Sequence, residues 1–170
     1  MFRIRLSVLC IVLIVGTPVI AVAGEGEHVV SIRPEYVNFH SHGGGLSIGY
    51  QWGFSDFINL WFDTGWSYVP SQSIDGEARS AQRLYSTVGA VYLLDSFQWV
   101  PYLSTSLGVY SQLLTEGESH VGFGFQLGGG LDYRPERTWS IGIFGMFHAI
   151  AAGRLPHHAS AGLRVNIYFR

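Results

Sequence analysis

Lysine is absent from the chain, and charged residues of all kinds make up only 13% of its 170 amino acids. That share is about half of what a soluble domain usually carries. Ten arginines stand against twelve acidic residues, which leaves a formal net charge of -2 and no surplus of positive charge for nucleic acid. The composition therefore excludes nucleic acid as an expected partner. What the chain does have is glycine, at 22 residues, and an aromatic fraction of 15%.

The first two dozen residues have the pattern of an export signal. The basic start consists of Arg3 and Arg5, and the apolar stretch runs from Leu6 to Ile20. The small-residue cleavage site follows at Ala21 to Ala23. The apolar stretch is shorter than the roughly 20 residues that a membrane-spanning helix needs, which disfavours the alternative of a retained anchor. We predict a signal peptide at residues 1–23 and one domain at residues 24–170.

Cysteine chemistry is not expected after removal of the signal peptide, because the only cysteine lies in that segment. Cys10, the only cysteine, lies within the apolar stretch and follows Leu9, whereas a lipoprotein cysteine follows a small residue. After removal of the signal the chain has no thiol, so disulfides, cysteine catalysis and thiolate metal sites are not expected.

Beyond Gly24 apolar residues recur at every second position, which is typical of extended strands with one apolar face. In the clearest run, Leu46, Ile48 and Tyr50 alternate with Ser47 and Gly49. Runs of this kind predict eight strands, at about residues 29–39, 45–54, 57–69, 82–94, 98–110, 121–133, 138–150 and 160–170. Each is long enough to cross a bilayer as a tilted strand, which takes roughly nine to eleven residues.

The links between these runs alternate in length. Tight turns are expected at residues 55–56, 95–97 and 134–137, an intermediate link at residues 40–44, and longer polar loops at residues 70–81, 111–120 and 151–159. Short periplasmic turns and longer outer loops are typical of outer-membrane barrels. Since an unpaired backbone group in hydrocarbon costs several kcal/mol, spanning strands must close on themselves. The predicted fold class is all-β: an eight-stranded antiparallel up-and-down transmembrane β-barrel.

The other face of the strands is polar and would fill the barrel. The alternation points these side chains inward: Arg33, Glu35, Asn59, Asp63, Arg83, Gln126, Asp132, Arg164 and Asn166. A barrel of eight strands has an interior just wide enough for packed side chains, which disfavours a solute channel. Three arginines there face three acids, and buried charges must pair. We therefore interpret Asp63 and Asp132 as members of salt bridges and not as an acid pair for catalysis.

The whole of residues 24–170 resembles the small outer-membrane barrels of the OmpA/OmpX type. The last strand carries the resemblance, since Leu163, Val165, Ile167 and Phe169 form the alternating, aromatic-terminated ending of that family, although Arg170 follows the aromatic residue. The aromatic residues expected at the lipid interfaces are Trp52, Trp66, Tyr68, Trp99 and Trp139, whereas Trp61 is predicted to point inward. The resemblance implies a monomer that contacts outer-membrane lipid, lipopolysaccharide and, during biogenesis, the barrel-assembly machinery.

His148 carries the main enzymatic hypothesis. The segment from His148 to Gly153 is faintly similar to the His-x-Ser-x-x-Gly stretch of the lipid A deacylases, which are also eight-stranded barrels. Ile150 occupies the place of the nucleophilic serine, and no glutamate follows Glu136 to orient the histidine. Alternation also points His148 inward with Phe144 and Met146. A packed interior histidine is the favoured interpretation.

A metal site is the second alternative. Six histidines are expected near the outer mouth, with two glutamates in a neighbouring loop: His40, His42, His120, His148, His157 and His158, with Glu116 and Glu118. Nitrogen and oxygen ligands of this kind suit zinc or copper, but no tight ligand motif is present. Our prediction is a non-enzymatic barrel with a structural or surface-interaction role, no catalytic, cofactor or metal residues, and no cofactor.

Overall fold

The structure, a computed structural model, describes residues 25–39, 41–74, 77–94, 98–114, 119–151 and 157–170. The described residues form eight strands: β1 (His28–Phe39), β2 (Ser41–Gly53), β3 (Ile58–Ile74), β4 (Glu77–Leu93), β5 (Trp99–Leu114), β6 (His120–Glu136), β7 (Trp139–Ile150) and β8 (His158–Phe169). No helix with the length and hydrophobicity of a membrane span occurs among these residues. The predicted signal peptide at residues 1–23 lies outside the described residues.

The sheet closes on itself. Each strand pairs antiparallel with the next one along the chain, and β1 also pairs with β8. His28 faces Phe169 across this closing seam, so the first and last strands bring both ends of the described chain to one end of the barrel. We call this end the lower end and the opposite one the upper end. Closure leaves no sheet edge with unpaired backbone groups, and the predicted fold class is confirmed.

The period-two pattern sorts the side chains between two faces. On β2, Leu46 and Ile48 are exposed on the outer face, whereas Ser47 and Gln51 are buried inside. Among the side chains whose burial is described, large apolar residues dominate the outer face and most of the buried ones are polar, although Val29, Val91 and Phe144 are apolar and buried. All nine side chains predicted to point inward are buried, and so is Trp61.

Glycines on the inner face make room for large neighbours. At Gly65 a β-carbon would overlap the ring of Tyr85, which packs directly on the glycine backbone. Tyr85 is itself almost fully buried. The small and large residues of adjacent strands therefore interlock, as expected for a narrow barrel that is filled with side chains.

The predicted loop pattern is wrong in its lengths. β3 and β4 continue as a hydrogen-bonded pair as far as Ile74 and Glu77, through most of the polar segment 70–81 that we expected to be a loop. β2 likewise begins at Ser41 instead of residue 45. The physical reason is that backbone pairing does not require apolar side chains, so the strands continue beyond the apolar band. Hydrophobic alternation marks the extent of that band and not the ends of the strands.

One expected turn is also part of a strand. The segment 134–137 was predicted as a tight turn because it contains Pro135, but β6 continues through Glu136. The pairing of β6 with β7 shifts register between Tyr133 and Glu136, and such an irregularity accommodates a proline that has no N–H to donate. As a consequence Arg134 stays in the alternation and points into the barrel.

Candidate functional site

The interior of the barrel contains ion pairs at successive heights. At the lower end Arg134 forms a bidentate pair with Glu27, with Nη2 to Oε1 at 2.7 Å and Nη1 to Oε2 at 3.3 Å. The same guanidinium lies 3.7 Å from the centre of the Tyr168 ring and donates to the carbonyl of Arg137. Glu27 and Arg134 are both buried, so each charge depends on the other for its compensation.

A second network lies above this pair. Arg164 Nη2 lies 3.2 Å from Asp132 Oδ2, and Arg164 Nε donates to Asn166 Oδ1 at 2.7 Å. Asn166 Nδ2 donates in turn to Asp132 and to Ser140. The guanidinium of Arg164 also covers the ring of Tyr102 at 4.3 Å. The prediction that Asp132 is a structural salt-bridge partner is therefore confirmed.

The middle of the interior is occupied by Arg33 and Asp63, which form an ion pair with both side chains almost fully buried. The Arg33 guanidinium lies 4.8 Å from the centre of the Trp61 ring and 5.2 Å from that of Phe144. An arginine between two aromatic rings and a carboxylate is held by cation–π as well as ionic contacts. This arrangement fills the cross-section with side chains.

His148 is the centre of an aromatic and polar cluster near the upper end. Its Nε2 lies 3.1 Å from Ser160 Oγ, and its Nδ1 lies 3.3 Å from the Tyr110 hydroxyl. Its ring stacks on that of His158 with centroids 4.0 Å apart and planes inclined by 5°. The ring of Tyr85 contacts it edge-on. His148 is 1% exposed, which confirms the prediction that it points inward.

This cluster differs from the arrangement that the deacylase hypothesis requires. Ile150, in the place of the expected serine, is buried inside the barrel with His148. The serine that contacts the histidine is Ser160, on the neighbouring strand, and Glu35 hydrogen-bonds to Ser160 instead of orienting the histidine. A serine–histidine contact therefore exists, but it faces the packed interior and not the lipid.

The described histidines do not gather at one site, although His148 and His158 stack on each other. His42 is exposed on the outer face and hydrogen-bonds Tyr36, whereas the Nδ1 atom of His157 accepts from the backbone N–H of Ile150 at 3.1 Å. His148 and His158 are inside the barrel. Among the described residues no three His, Cys, Asp or Glu side chains are placed to hold a metal ion. His40, Glu116 and Glu118 of the metal hypothesis lie outside the described residues.

Aromatic side chains form bands on the outer face. At the lower end the exposed members are Tyr50, Trp52, Phe54, Phe57, Tyr92, Trp99, Trp139 and Phe169. Toward the upper end Tyr36, Trp66 and Tyr68 form a group on β1 and β3, and three exposed phenylalanines lie on β6 and β7: Phe123, Phe125 and Phe147. The five aromatic residues predicted to face lipid interfaces are all exposed, although Trp66 and Tyr68 lie well inside β3 because that strand extends to Ile74.

Sequence reasoning missed several interior partners. Arg134 was assigned to a turn, although it has the same parity as Asp132 and continuing the alternation by two residues would have placed it inside. Ser160 lies within the predicted eighth strand with the parity of Arg164, and extending that alternation by two residues would also have placed His158 inside. What no alternation gives is which interior residues touch, since that depends on the register of the closed sheet.

Fold and interior together define a class: a small, closed, eight-stranded β-barrel with an apolar outside and a filled polar inside. Solved structures of bacterial outer-membrane proteins share this fold. OprG from Pseudomonas aeruginosa matches 89% of this chain and 99% of its own, with a TM-score of 0.68 and 10% identity. Neisserial surface protein A matches 85% of this chain and 97% of its own, with a TM-score of 0.65 and 13% identity.

An enzyme has the same fold. The outer-membrane enzyme PagL matches 82% of this chain and 98% of its own, with a TM-score of 0.52 and 17% identity. No family model and no curated protein sequence matches the chain. At such identities the likeness extends to the fold alone, so the function has to be argued from the side chains.

Proposed function

We propose that this chain is an integral protein of the bacterial outer membrane, with a structural or surface-interaction role and no catalytic activity. The contrast between its two faces carries the proposal. The outside is a continuous apolar band bordered by aromatic residues, which suits a lipid environment, while three buried ion pairs, Arg33–Asp63, Arg134–Glu27 and Arg164–Asp132, are described in the interior. In this orientation the lower end, where both ends of the described chain lie, faces the periplasm. The upper end faces outward.

The membrane location is tested by fractionation. We expect the protein to remain in the outer-membrane pellet after carbonate extraction and to migrate faster on a gel before boiling than after it, because a closed barrel stays compact in detergent until heated. Recovery in the soluble fraction, with one migration position, would contradict the proposal.

A lipid-hydrolysing enzyme is the second candidate, and the contact between Ser160 and His148 favours it. A serine with a histidine in hydrogen-bond reach is the minimal pair for nucleophilic catalysis. Ser160 is only 4% exposed, however, and it faces the interior, where an acyl ester of the membrane would have to enter a packed barrel.

Mass spectrometry of lipid A separates the two candidates. Cells that express the chain should give the same lipid A acylation profile as cells without it. Loss of an acyl chain that depends on Ser160, and is abolished in Ser160→Ala but not in the outward control Ala161→Ser, would establish the enzyme instead.

Two further alternatives have direct tests. A small-solute channel would give steady conductance steps in planar bilayers, whereas we expect none, because ion pairs and aromatic rings occupy the interior. A metal-binding barrel would give a saturable heat signal when the purified protein is titrated with zinc, and we expect a flat trace. The barrel-assembly machinery is the proposed partner during biogenesis, and the finished protein is proposed to be a monomer.

A further inference from the structure

An open groove lies on the outer face toward the upper end, between β1 and β3. It has a volume of about 540 Å³ and is lined by Tyr36, His42, Gly43, Gly44, Trp66, Tyr68 and Pro70. Lipid-facing apolar residues lie directly below it, since Pro34, Leu46 and Trp66 form the next row of paired residues toward the lower end. The groove therefore begins where the apolar band ends.

The register of three strands creates this groove. Tyr36 of β1 lies opposite Gly44 of β2, and Gly44 lies opposite Tyr68 of β3. Neighbouring strands are about 4.8 Å apart, so the two tyrosine backbones are separated by about 10 Å with no side chain between them. The row thus has two aromatic walls and a floor of bare backbone, with room for one flat ring.

Two of the aromatic side chains that line the groove are fixed by contacts of their own. The Tyr36 hydroxyl hydrogen-bonds Nδ1 of His42, and the two rings stack with centroids 5.8 Å apart. On the other side Nε1 of Trp66 donates to Gln82 at 3.2 Å. Tyr36, Trp66 and Tyr68 nevertheless remain 48%, 44% and 40% exposed. Tyr36 and Trp66 are therefore held in place while they keep large aromatic surfaces free for a ligand, which lowers the cost of ordering on binding.

The chemistry of the lining selects a neutral, partly polar ring. Aromatic faces pack on the C–H face of a sugar, while the tyrosine hydroxyls and the imidazole at the rim exchange hydrogen bonds with its hydroxyl groups. An acyl chain would offer no hydrogen bond to the Tyr68 hydroxyl or to the second ring nitrogen of His42. A phosphate would need a permanently charged cation, and none of the described residues that line the groove is an arginine or a lysine.

We propose that this groove binds a sugar ring of a glycolipid in the outer leaflet of the outer membrane, of the kind that carries lipopolysaccharide. The proposal rests on the outer-membrane location and orientation argued above. The groove's position at the upper limit of the apolar band places it at the level of the lipid headgroups, where the sugar of such a lipid lies beside the barrel wall.

Gly44 offers a variant that fills the groove without disturbing the barrel. A β-carbon there would meet only the carbonyl oxygen of Glu35, at 3.9 Å, so Gly44→Val should fold and place its methyl groups on the groove floor. Gly145 is the matched control, because it is also an outward-facing strand glycine and nothing lies within 4 Å of its β-carbon position. Tyr36→Leu removes one wall, and Tyr50→Leu, at the lower end, is its control.

The test uses the protein purified from the outer membrane and placed in phosphatidylcholine nanodiscs, with purified rough-type lipopolysaccharide as the probe. We expect wild type, Gly145→Val and Tyr50→Leu to bind equally well. Gly44→Val and Tyr36→Leu should bind about tenfold more weakly, the factor that corresponds to losing about 1.4 kcal/mol. Phosphatidylglycerol should not compete.

Several results would overturn the proposal. Equal binding by all five proteins would show that the groove does not bind lipopolysaccharide. Equal competition by phosphatidylglycerol would indicate that the ligand is an acyl chain or a phosphate. A change of oligomeric state in Gly44→Val without a change in binding would indicate a second copy of the chain. Failure of the wild type to enter the bilayer would instead contradict the proposed function, so the two failures are distinguishable.

Discussion

The β1–β2 hairpin carries a tyrosine–histidine pair at each of its ends, and the two pairs have nearly the same geometry. At the lower end His28 and Tyr50 hydrogen-bond at 2.6 Å and stack with centroids 5.9 Å apart and planes inclined by 26°. At the upper end Tyr36 and His42 hydrogen-bond and stack at 5.8 Å and 27°. The surroundings differ. Phe169 stacks on His28 at 5.6 Å, whereas the upper pair borders an open groove.

This difference shows that neighbours, and not the pair itself, decide what each end can do. The lower end is covered by a broad aromatic band and closed inside by Glu27 and Arg134, which suits anchoring in lipid. The upper end has fewer outward aromatics, a glycine floor and an interior in which aromatic rings and polar side chains surround His148. We interpret the lower end as the anchor and the upper end as the contact surface.

The largest loss of stability is expected from removing the ion pair between Glu27 and Arg134 at the lower end. Arg134→Met leaves Glu27 buried without its partner, and loss of one member of a buried ion pair costs about 3–5 kcal/mol. The free energy of unfolding in urea, measured in detergent micelles, should fall by that amount. Arg137→Ala, whose side chain is exposed, is the control and should stay near wild type. Equal stability of both variants would show that the lower end is not held by this pair.

The next largest effect concerns Gly43 and Gly44, which face opposite sides of β2. A β-carbon on Gly43 would lie 2.5 Å from the Tyr68 carbonyl oxygen and 2.7 Å from a Val69 methyl, whereas Gly44 has open space. Gly43→Ala should therefore cost about 1–3 kcal/mol through overpacking, and Gly44→Ala should stay within about 0.5 kcal/mol. Urea midpoints measure both. A larger loss of stability for Gly44→Ala than for Gly43→Ala would mean that Gly44, and not Gly43, faces the interior.

A smaller loss is expected inside the upper end. Ser160→Ala removes a hydrogen-bond partner from buried His148 and from Glu35, and an unsatisfied buried group costs about 1–3 kcal/mol. We expect the lower part of that range, because the Tyr110 contact of His148 remains. The same urea titration measures it, with outward Ala161→Ser as the control. A loss as large as that of Arg134→Met would remove the contrast between the two ends.

The smallest loss of stability is expected from changes in the two tyrosine–histidine pairs. Tyr36→Phe and Tyr50→Phe each delete one hydroxyl that bonds a histidine at the surface, and such a bond contributes about 0.5–1.5 kcal/mol. We expect similar small losses, because the pairs have similar geometry. Binding of lipopolysaccharide should weaken only for Tyr36→Phe. Weaker binding by Tyr50→Phe as well would show that the two ends do not differ in function.

The alternation of residues was enough to predict the fold, the strand number and nine of the polar interior residues, because each strand has the same two environments throughout. Leu46 and Ser47 face opposite ways for that reason alone. Strand ends were not predictable, since the pairing of Ile74 with Glu77 depends on backbone hydrogen bonds that polar sequences also form.

The candidate site was harder to foresee. The groove depends on Tyr36, Gly44 and Tyr68 falling in one row, and these residues come from three strands whose relative register is set by the closed sheet. The contact between His148 and Ser160 has the same origin, since β7 and β8 bring the two residues together. Pattern alone assigns each side chain a face, but not its neighbours across the sheet.

We expect one face of every strand to meet lipid and the other to meet a filled interior. Spin labels on single cysteines along β2 test it directly, in a chain whose only native cysteine, Cys10, is first replaced. Labels at residues 46 and 48 should be reached by oxygen dissolved in the bilayer, and labels at residues 47 and 51 should be immobile and shielded. Access of a water-soluble nickel reagent to residues 46 and 48, or the absence of a two-residue period, would contradict the account.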